Sequence, residues 1–201
     1  LFGGFGFPGF VGEVITALTN TSMYTYEVAP VATLMEKALI SKMIGYTGWP
    51  SGNGIFTSGG SNSNLYALIL ARNSIFKGAK QEGITALPKL AILVSERSHF
   101  SMLKGANTIG MGQSGVVKVP VDERGRMRGD AVRKAMEETV KKGMVPFMIC
   151  STAGTTETGS FDDLQEISDL AEKHQLWHHV DGSWGGSLIM LPEERDRFKG
   201  L

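Results

Sequence analysis

The sequence predicts an α/β fold in which a mostly parallel central sheet is flanked by helices. Apolar runs of strand length alternate with stretches of helical periodicity at intervals of roughly 30 residues. Residues 90–94 are apolar throughout, as expected of a strand that is covered on both faces. Because strands joined through a helix are normally parallel, with right-handed crossovers, these observations favour one parallel sheet.

Each element follows from a local pattern. The predicted strands cover residues 89–95, 116–121, 145–150 and 176–181. The predicted helices cover residues 30–43, 65–76, 130–143 and 161–171. Pro30 suits the first turn of a helix, and Gly45 is the expected stop of that helix. Asp130 is the expected N-cap of a later helix, because its side chain can accept a bond from a free N–H group.

Composition limits the classes of partner. Of the 201 residues, 42% are hydrophobic, which is enough for one sizeable core. Lys+Arg and Asp+Glu both number 20, so a net charge of zero argues against nucleic acid or an anionic membrane. The single cysteine, Cys150, excludes a disulfide framework and favours a reducing, cytoplasmic location. No apolar stretch approaches the ~18 residues of a membrane span, and we expect the chain to be a fragment of a longer protein.

Polar turns are expected at the carboxyl edge of the sheet, where open α/β sheets usually build their sites. Asp181 ends the last strand, and Ser183 and its glycine neighbours leave room for a ligand. His99 follows an earlier strand and Thr152 ends a run of the same kind. An acid, an imidazole and hydroxyls together suit an aromatic, phosphorylated cofactor. A structural histidine and a buried, hydrogen-bonded acid are the alternatives.

A glycine-rich turn at residues 59–63 is a candidate anion cradle. Gly60 permits close approach of the backbone, and Ser61 and Ser63 offer hydroxyl groups. The helix that follows presents free N–H groups at its positive end, which suits a phosphate. The turn is not a Walker A loop, because no Gly-Lys-Ser/Thr follows it. An ordinary strand-to-helix turn is the alternative.

A metal site at the last strand is not expected. His178 and His179 are adjacent, so their side chains point to opposite faces of the sheet. His179 and Asp181 share a face, but two ligands are too few for a metal site.

In chain order these segments resemble the pyridoxal 5′-phosphate (PLP)-dependent group II amino acid decarboxylases, in the branch of glutamate and cysteine sulfinate decarboxylases. The resemblance covers almost the whole chain. Its motifs are NTSMYTYEVAP (residues 20–30), GIFTSGG (54–60), SHFS (98–101), TAGTT (152–156), GSFD (159–162) and HVDGSWGG (179–186). The resemblance implies the large domain of a type I, aspartate aminotransferase-like PLP enzyme that works as a homodimer.

The resemblance also implies roles for individual residues. His99 would stack on the cofactor ring, and Asp181 would pair with its pyridine nitrogen. Thr152 would help to hold the ring, with Ser183 beneath it. The residues that would receive the phosphate are Gly60, Ser61 and Ser63. The implied reaction is decarboxylation of a small acidic L-amino acid, with His99 and Asp181 as the catalytic residues.

Substrate choice is assigned to the N-terminal segment. Residues 1–29 would line the substrate pocket or dimer interface, and residues 30–201 would form part of the PLP-binding domain. Within this segment Ser22 and Tyr24 resemble the cysteine sulfinate and aspartate pattern more than the glutamate pattern. Cysteine sulfinate or aspartate is therefore the favoured substrate, with glutamate close behind.

The family's Schiff-base lysine lies in an Asn-Pro-His-Lys motif beyond the Trp-Gly-Gly segment, and the sequence ends before it. We therefore expect the fragment alone to be inactive. Two alternatives stay open: another type I PLP reaction, such as transamination or a lyase step, and a truncated, non-catalytic relative that acts as a dimer partner.

Overall fold

The structure, a computed structural model, describes residues 4–201. The chain divides into two compact units, one that ends at Phe56 and one that covers Thr57–Leu201. Within the described range no helix is long and apolar enough to cross a bilayer.

The N-terminal unit contains two helices, α1 (Phe7–Thr19) and α2 (Pro30–Thr47). The sequence pattern does not predict α1. Helix α2 begins at Pro30 as predicted, but the expected stop at Gly45 is wrong, because the helix continues to Thr47 and its C-cap is Gly48. Gly48 has a φ of 76°, a left-handed conformation that favours glycine at a helix end. A glycine inside a helix costs only about 1 kcal/mol relative to alanine, so Gly45 alone does not end one.

The second unit is built on a sheet of four parallel strands within the described residues, which confirms the predicted fold class. The strands are β1 (Leu90–Ser95), β2 (Val116–Val119), β3 (Val145–Thr152) and β4 (Trp177–Asp181). Their order in the sheet is β2-β1-β3-β4. The helices are α3 (Gly60–Ile75), α4 (Ala79–Glu82), α5 (Ser101–Thr108), α6 (Gly129–Lys141) and α7 (Leu164–Lys173). Short 3₁₀ turns lie at Ile84–Ala86, Gln113–Gly115, Gly186–Met190 and Pro192–Phe198.

Helices cover both faces of the sheet. On one face α3 and α5 pack against alternate strand residues, which include Ile92 and Cys150. On the other face α6 and α7 pack against the residues between them, which include Leu93 and Ile149. All of β1 is buried, as its uninterrupted apolar run predicts. Full burial of a branched aliphatic side chain contributes about 1.5–3 kcal/mol, so these two layers account for a stable core.

Three helix starts differ from the sequence prediction, and the first is α3, which begins at Gly60 where residue 65 was expected. Helix α6 begins at Gly129 and its N-cap position is Arg128, so Asp130 lies in the first turn and is not the cap. An acid in the first turn is still favourable, because it faces the positive end of the helix dipole. Helix α7 begins at Leu164, where the Asp163 carboxylate accepts the Glu166 N–H at 3.2 Å.

Candidate functional site

The carboxyl ends of β3 and β4 place two polar side chains next to each other. Thr152 is the last residue of β3, Asp181 is the last residue of β4, and the two are paired in register. Residues paired across parallel strands present their side chains on the same face. The α3 and α5 helices cover this face, so the loops before these helices enclose the same edge of the sheet.

Asp181 is a buried carboxylate with partners on both oxygens. It is 8% exposed. Its Oδ2 accepts a hydrogen bond from Asn64 Nδ2 at 2.8 Å, and its Oδ1 accepts one from the Ser183 N–H at 3.0 Å. Burial acts to raise the pKa of Asp181, but these hydrogen bonds and the nearby His179 outweigh it, so the pKa is lowered. The site therefore holds an ionised acid at neutral pH.

His99 lies at the same edge, in the turn between β1 and α5. Its Nδ1 lies 2.9 Å from Ser101 Oγ and accepts the Ser101 N–H at 3.2 Å. Ser101 Oγ in turn accepts a hydrogen bond from Asn64 Nδ2 at 2.9 Å. Three consecutive hydrogen bonds thus connect His99 to Asp181, and the two predicted catalytic side chains belong to one network. The imidazole itself is exposed and leans against Phe100, with ring centroids 4.2 Å apart.

His178 and His179 point to opposite faces of the sheet, as predicted. His179 Nε2 lies 2.8 Å from Asn64 Oδ1, whereas His178 Nε2 lies 2.8 Å from Ser151 Oγ on the other face. Burial lowers the pKa of His179, although Asp181 partly opposes this, and burial lowers the pKa of His178 to about 4. Both imidazoles are therefore neutral at physiological pH. Residues 4–201 contain no cluster of three or more acidic, histidine or cysteine side chains able to hold a metal.

The glycine-rich turn contacts the exit of β4. A methyl group added at Gly60 would lie 2.5 Å from Ser183 Oγ, so a larger residue there would displace the Ser183 side chain. The hydroxyl groups of Ser63 and Thr57 form a hydrogen bond, with Oγ and Oγ1 2.7 Å apart. The turn and Ser183, which the sequence predicts to bind the same cofactor, are therefore neighbours.

The start of α3 offers backbone donors. The N–H groups of Asn62 and Ser63 bond to the Gly59 carbonyl at 2.9 and 3.1 Å. The N–H groups of Gly60 and Ser61 come first in the helix and have no intrahelical acceptor. Unpaired donors at the positive end of a 16-residue helix suit an anion such as a phosphate.

Thr152 carries an orphaned polar atom. Its Oγ1 is buried and has no hydrogen-bond partner among the described residues. Leaving such a group unpaired costs about 1–3 kcal/mol, so a bound ligand that supplies a partner would be favoured there. An ionised acid, a free hydroxyl, an imidazole and helix donors at one sheet edge fit the pyridine, the ring substituents and the phosphate of PLP.

Ser22 and Tyr24 belong to the N-terminal unit, in the stretch between α1 and α2. Tyr24 is 86% exposed, and Ser22 is also exposed. Their role in substrate selection stays a prediction.

Two residues that organise the site could not be identified from the sequence pattern. Asn64 is 2% exposed and contacts Asp181, Ser101 and His179. The available signal was weak, because Asn64 lies directly before the predicted helix at residues 65–76 and belongs to the polar stretch that follows the glycine-rich turn. Asp162 is likewise buried and was expected to open a helix instead.

Asp162 connects the end of β3 to a neighbouring loop through hydrogen bonds. Its carboxylate accepts the N–H of Thr152 and the N–H of Met127, each at 2.7 Å. It therefore fixes the backbone of the residue whose side chain has the orphaned hydroxyl. Burial raises the pKa of Asp162 from its ordinary value of 3.8 to about 6, although these two hydrogen bonds oppose the rise.

The raised pKa of Asp162 makes this group lower the stability as the pH rises from about 4 to 6, and it opposes the contribution of His178, whose lowered pKa raises the stability over the same range. In this window the unfolded chain has released a proton that the folded chain keeps, so higher pH favours unfolding. Two pKa units correspond to about 3 kcal/mol in the free energy of unfolding. Urea unfolding of the full-length protein at several pH values measures the slope, which should shift towards greater stability at higher pH in Asp162→Asn and stay unchanged in Asp169→Asn, an exposed acid on α7. An equal slope in Asp162→Asn contradicts the assignment.

Comparison with known proteins identifies relatives over the full sequence. The family model for the pyridoxal-dependent decarboxylase conserved domain matches residues 1–201. Acidic amino acid decarboxylase GADL1 from Bos taurus and cysteine sulfinic acid decarboxylase from Mus musculus are each 43% identical to the chain over 201 residues. The matches cover all of this chain, but only 39% and 41% of those relatives. The chain therefore spans about two fifths of their length.

Solved structures share the fold. The crystal structure of mouse CSAD in apo form has a TM-score of 0.96 at 43% identity, covering 99% of this chain and 42% of that chain. A second neighbour is the glutamate decarboxylase domain of diaminobutyrate-pyruvate transaminase and L-2,4-diaminobutyrate decarboxylase from Vibrio parahaemolyticus. It has a TM-score of 0.88 at 36% identity, covering 97% of this chain and 43% of that chain. The predicted resemblance to PLP-dependent decarboxylases is confirmed.

Proposed function

This chain belongs to the pyridoxal-dependent decarboxylase family, and from that premise we propose that it is part of a longer enzyme that uses PLP to decarboxylate a small acidic L-amino acid. The observation that carries the proposal is the buried, ionised Asp181 paired in register with Thr152, whose hydroxyl is unpartnered. The substrate class is supported by the names of two relatives, an acidic amino acid decarboxylase and a cysteine sulfinic acid decarboxylase.

Asp181 would act on the ring nitrogen of the cofactor. Bound PLP supplies an electron sink for the pair left on Cα when the α-carboxylate departs as carbon dioxide. A buried anion favours the protonated form of a nitrogen beside it, since the charges attract strongly where water is excluded. Asp181 would thereby keep the ring nitrogen protonated, and the Asn64 and Ser183 hydrogen bonds keep Asp181 itself ionised.

The other predicted residues would hold the cofactor. The N–H groups of Gly60 and Ser61 would receive the phosphate together with the Ser63 hydroxyl. The unpartnered hydroxyl of Thr152 would form a hydrogen bond with the cofactor ring. His99 would stack on the ring and shield it from water. In this assignment the residues of the second unit bind and orient the cofactor and keep its ring nitrogen protonated, which is the protein's usual contribution to cofactor chemistry.

Substrate choice is proposed to depend on Ser22 and Tyr24. Replacing both, Ser22→Asn with Tyr24→Phe, should shift the ratio of kcat/KM for glutamate to that for cysteine sulfinate upward by about tenfold, because a changed hydroxyl alters which polar groups are left unpaired. Steady-state kinetics of the full-length enzyme measures the ratio. Tyr66→Phe removes a hydroxyl from the exposed side of α3 and should leave it unchanged. An unaltered ratio in the double variant excludes this role.

A homodimer is proposed as the working unit. Neither α1 nor α2 has a buried residue, and both expose large apolar side chains. Those with at least half of their surface exposed include Phe10, Ile15, Leu18, Val31, Leu34 and Met35. Apolar surface of this extent normally lies at an interface, and a second copy of the chain is the proposed partner. The mass of the full-length protein in solution tests this proposal.

A cytoplasmic location is also proposed, because the single cysteine, Cys150, is buried and free.

The direct test of the function is product analysis with the full-length protein. Incubation with PLP and either cysteine sulfinate, aspartate or glutamate should release carbon dioxide in amounts equal to the amine formed. Formation of a keto acid in place of carbon dioxide would indicate transamination and overturn the proposal. Failure of the full-length protein to bind PLP would overturn it at an earlier step.

A further inference from the structure

We propose that Asn64 is the positioning residue that, through one side chain, fixes the charged state of Asp181, sets the proton position of His179 and orients the Ser101 hydroxyl that bonds to His99. The proposal rests on the proposed function and deepens it, because it names the residue on which both predicted catalytic groups depend. Asn64 lies in the second turn of α3, and its amide reaches β4 on one side and α5 on the other.

The direction of each hydrogen bond follows from chemistry. An ionised carboxylate can only accept, so the Asn64 atom 2.8 Å from Asp181 Oδ2 has to be the amide nitrogen. The other amide atom is then the oxygen, which accepts from His179 Nε2 at 2.8 Å. Neutral His179 therefore carries its proton on Nε2, in agreement with its lowered pKa.

The same logic continues to His99. The second hydrogen on Asn64 Nδ2 is donated to Ser101 Oγ at 2.9 Å. Ser101 Oγ then directs its own hydrogen to His99 Nδ1, which also accepts the Ser101 N–H. Because Nδ1 accepts twice, the proton of a neutral His99 is on Nε2, the nitrogen on the far side of the ring. Both N–H donors and the oxygen acceptor of Asn64 are thus in use. Every hydrogen bond of the network then joins one donor to one acceptor.

No other side chain of this size can make this set of bonds. Aspartate lacks the two donors and would place a second carboxylate against Asp181, and leucine has neither donor nor acceptor. Losing the Asn64 donor would leave burial, which raises the pKa of Asp181, less opposed. The arrangement places a polar residue, which is a poor helix former, at a buried helix position next to the apolar core.

The test compares PLP with 1-deazapyridoxal 5′-phosphate, in which a C–H group replaces the ring nitrogen. Asn64→Leu in the full-length protein should weaken PLP binding about tenfold or more, the loss expected for one charge-assisted hydrogen bond. Affinity for the deaza analogue should change less than about threefold, since Asp181 has no ring nitrogen to pair with there. A purely structural role for Asn64 would weaken both ligands equally.

Two further variants make the result decisive. Asn73→Leu is the matched control, a half-buried asparagine on the same helix bonded to Arg72, and it should keep both affinities. Should Asn64→Leu fail to fold, Asn64→Ser decides, because one hydroxyl cannot replace two donors and an acceptor. Equal losses for the two ligands, or none, in the folded variant overturn the proposal for Asn64. Failure of the unaltered protein to bind PLP instead overturns the proposed function.

A second readout needs no cofactor. In the cofactor-free protein, ¹⁵N chemical shifts should show protons on Nε2 of both His99 and His179, and Asn64→Leu should release this preference in His179. A proton on Nδ1 of His99 in the unaltered protein would contradict the assigned direction of the network.

Discussion

Replacing Asp181 with asparagine in the full-length enzyme should lower kcat by about 100-fold or more. The substitution keeps the shape of the side chain but removes the buried negative charge that would hold the cofactor ring nitrogen protonated. Catalytic groups that stabilise developing charge in buried sites typically contribute about 10²–10³ in rate. The new amide would also meet a donor on each side, from Asn64 and from the Ser183 N–H, so one of its two ends lacks a suitable partner.

The measurement is single-turnover and steady-state kinetics with the favoured substrate, together with the absorbance of the bound cofactor across pH. The spectrum of Asp181→Asn should report a ring nitrogen that loses its proton at lower pH. Asp169→Asn serves as the matched control, since this acid lies on the exposed side of α7 and bonds to Gln165. Near-normal turnover in Asp181→Asn would refute the role of this residue.

The positions of strand ends could be predicted from the sequence to within two residues, since β2 ends at Val119 and β3 at Thr152 where residues 121 and 150 were expected, and they locate most of the site. An apolar run that stops at a polar residue indicates both where a strand ends and which edge of a parallel sheet that residue occupies. Asp181 and Thr152 satisfy this pattern and are paired in register. Alternation along β4 likewise predicts that His178 and His179 diverge, which their separate partners bear out.

Contacts between elements distant in sequence could not be predicted in this way. Asn64 and Asp181 are 117 residues apart, and their hydrogen bond depends on how far α3 is rotated about its axis against the sheet. Periodicity identifies the apolar face of a helix but does not set that rotation, which packing decides. Asp162 was missed for a related reason, because its backbone partners lie on two different segments.

The charges of the buried titratable groups are arranged in a consistent way at this site. The site combines an acid whose pKa is lowered by hydrogen-bond donors with two imidazoles, those of His178 and His179, that stay neutral because burial lowers their pKa. Perturbed titratable groups gathered at the carboxyl edge of a sheet are typical of catalytic sites. Here the charge is restricted to Asp181, so a cationic ring nitrogen would meet one fixed anion and no competing cation from His178 or His179.

His99 is expected to contribute in two separable ways, through its flat ring and through its Nε2–H group. His99→Ala should weaken PLP binding about three- to tenfold, as expected for the loss of one stacking contact. It should also lower kcat by about 100-fold, the lower end of what a positioned proton donor contributes. His99→Phe restores a flat ring without a donor, so it should recover the affinity for PLP but not kcat.

Equilibrium titration with PLP and steady-state kinetics of the full-length enzyme separate these effects. His174→Ala is the matched control, because this exposed histidine lies at the C-terminal end of α7. Recovery of kcat in His99→Phe would show that stacking alone accounts for the residue. Unchanged affinity in His99→Ala would remove the stacking role, and the hydrogen bonds that fix Nδ1 as an acceptor would then serve proton transfer alone.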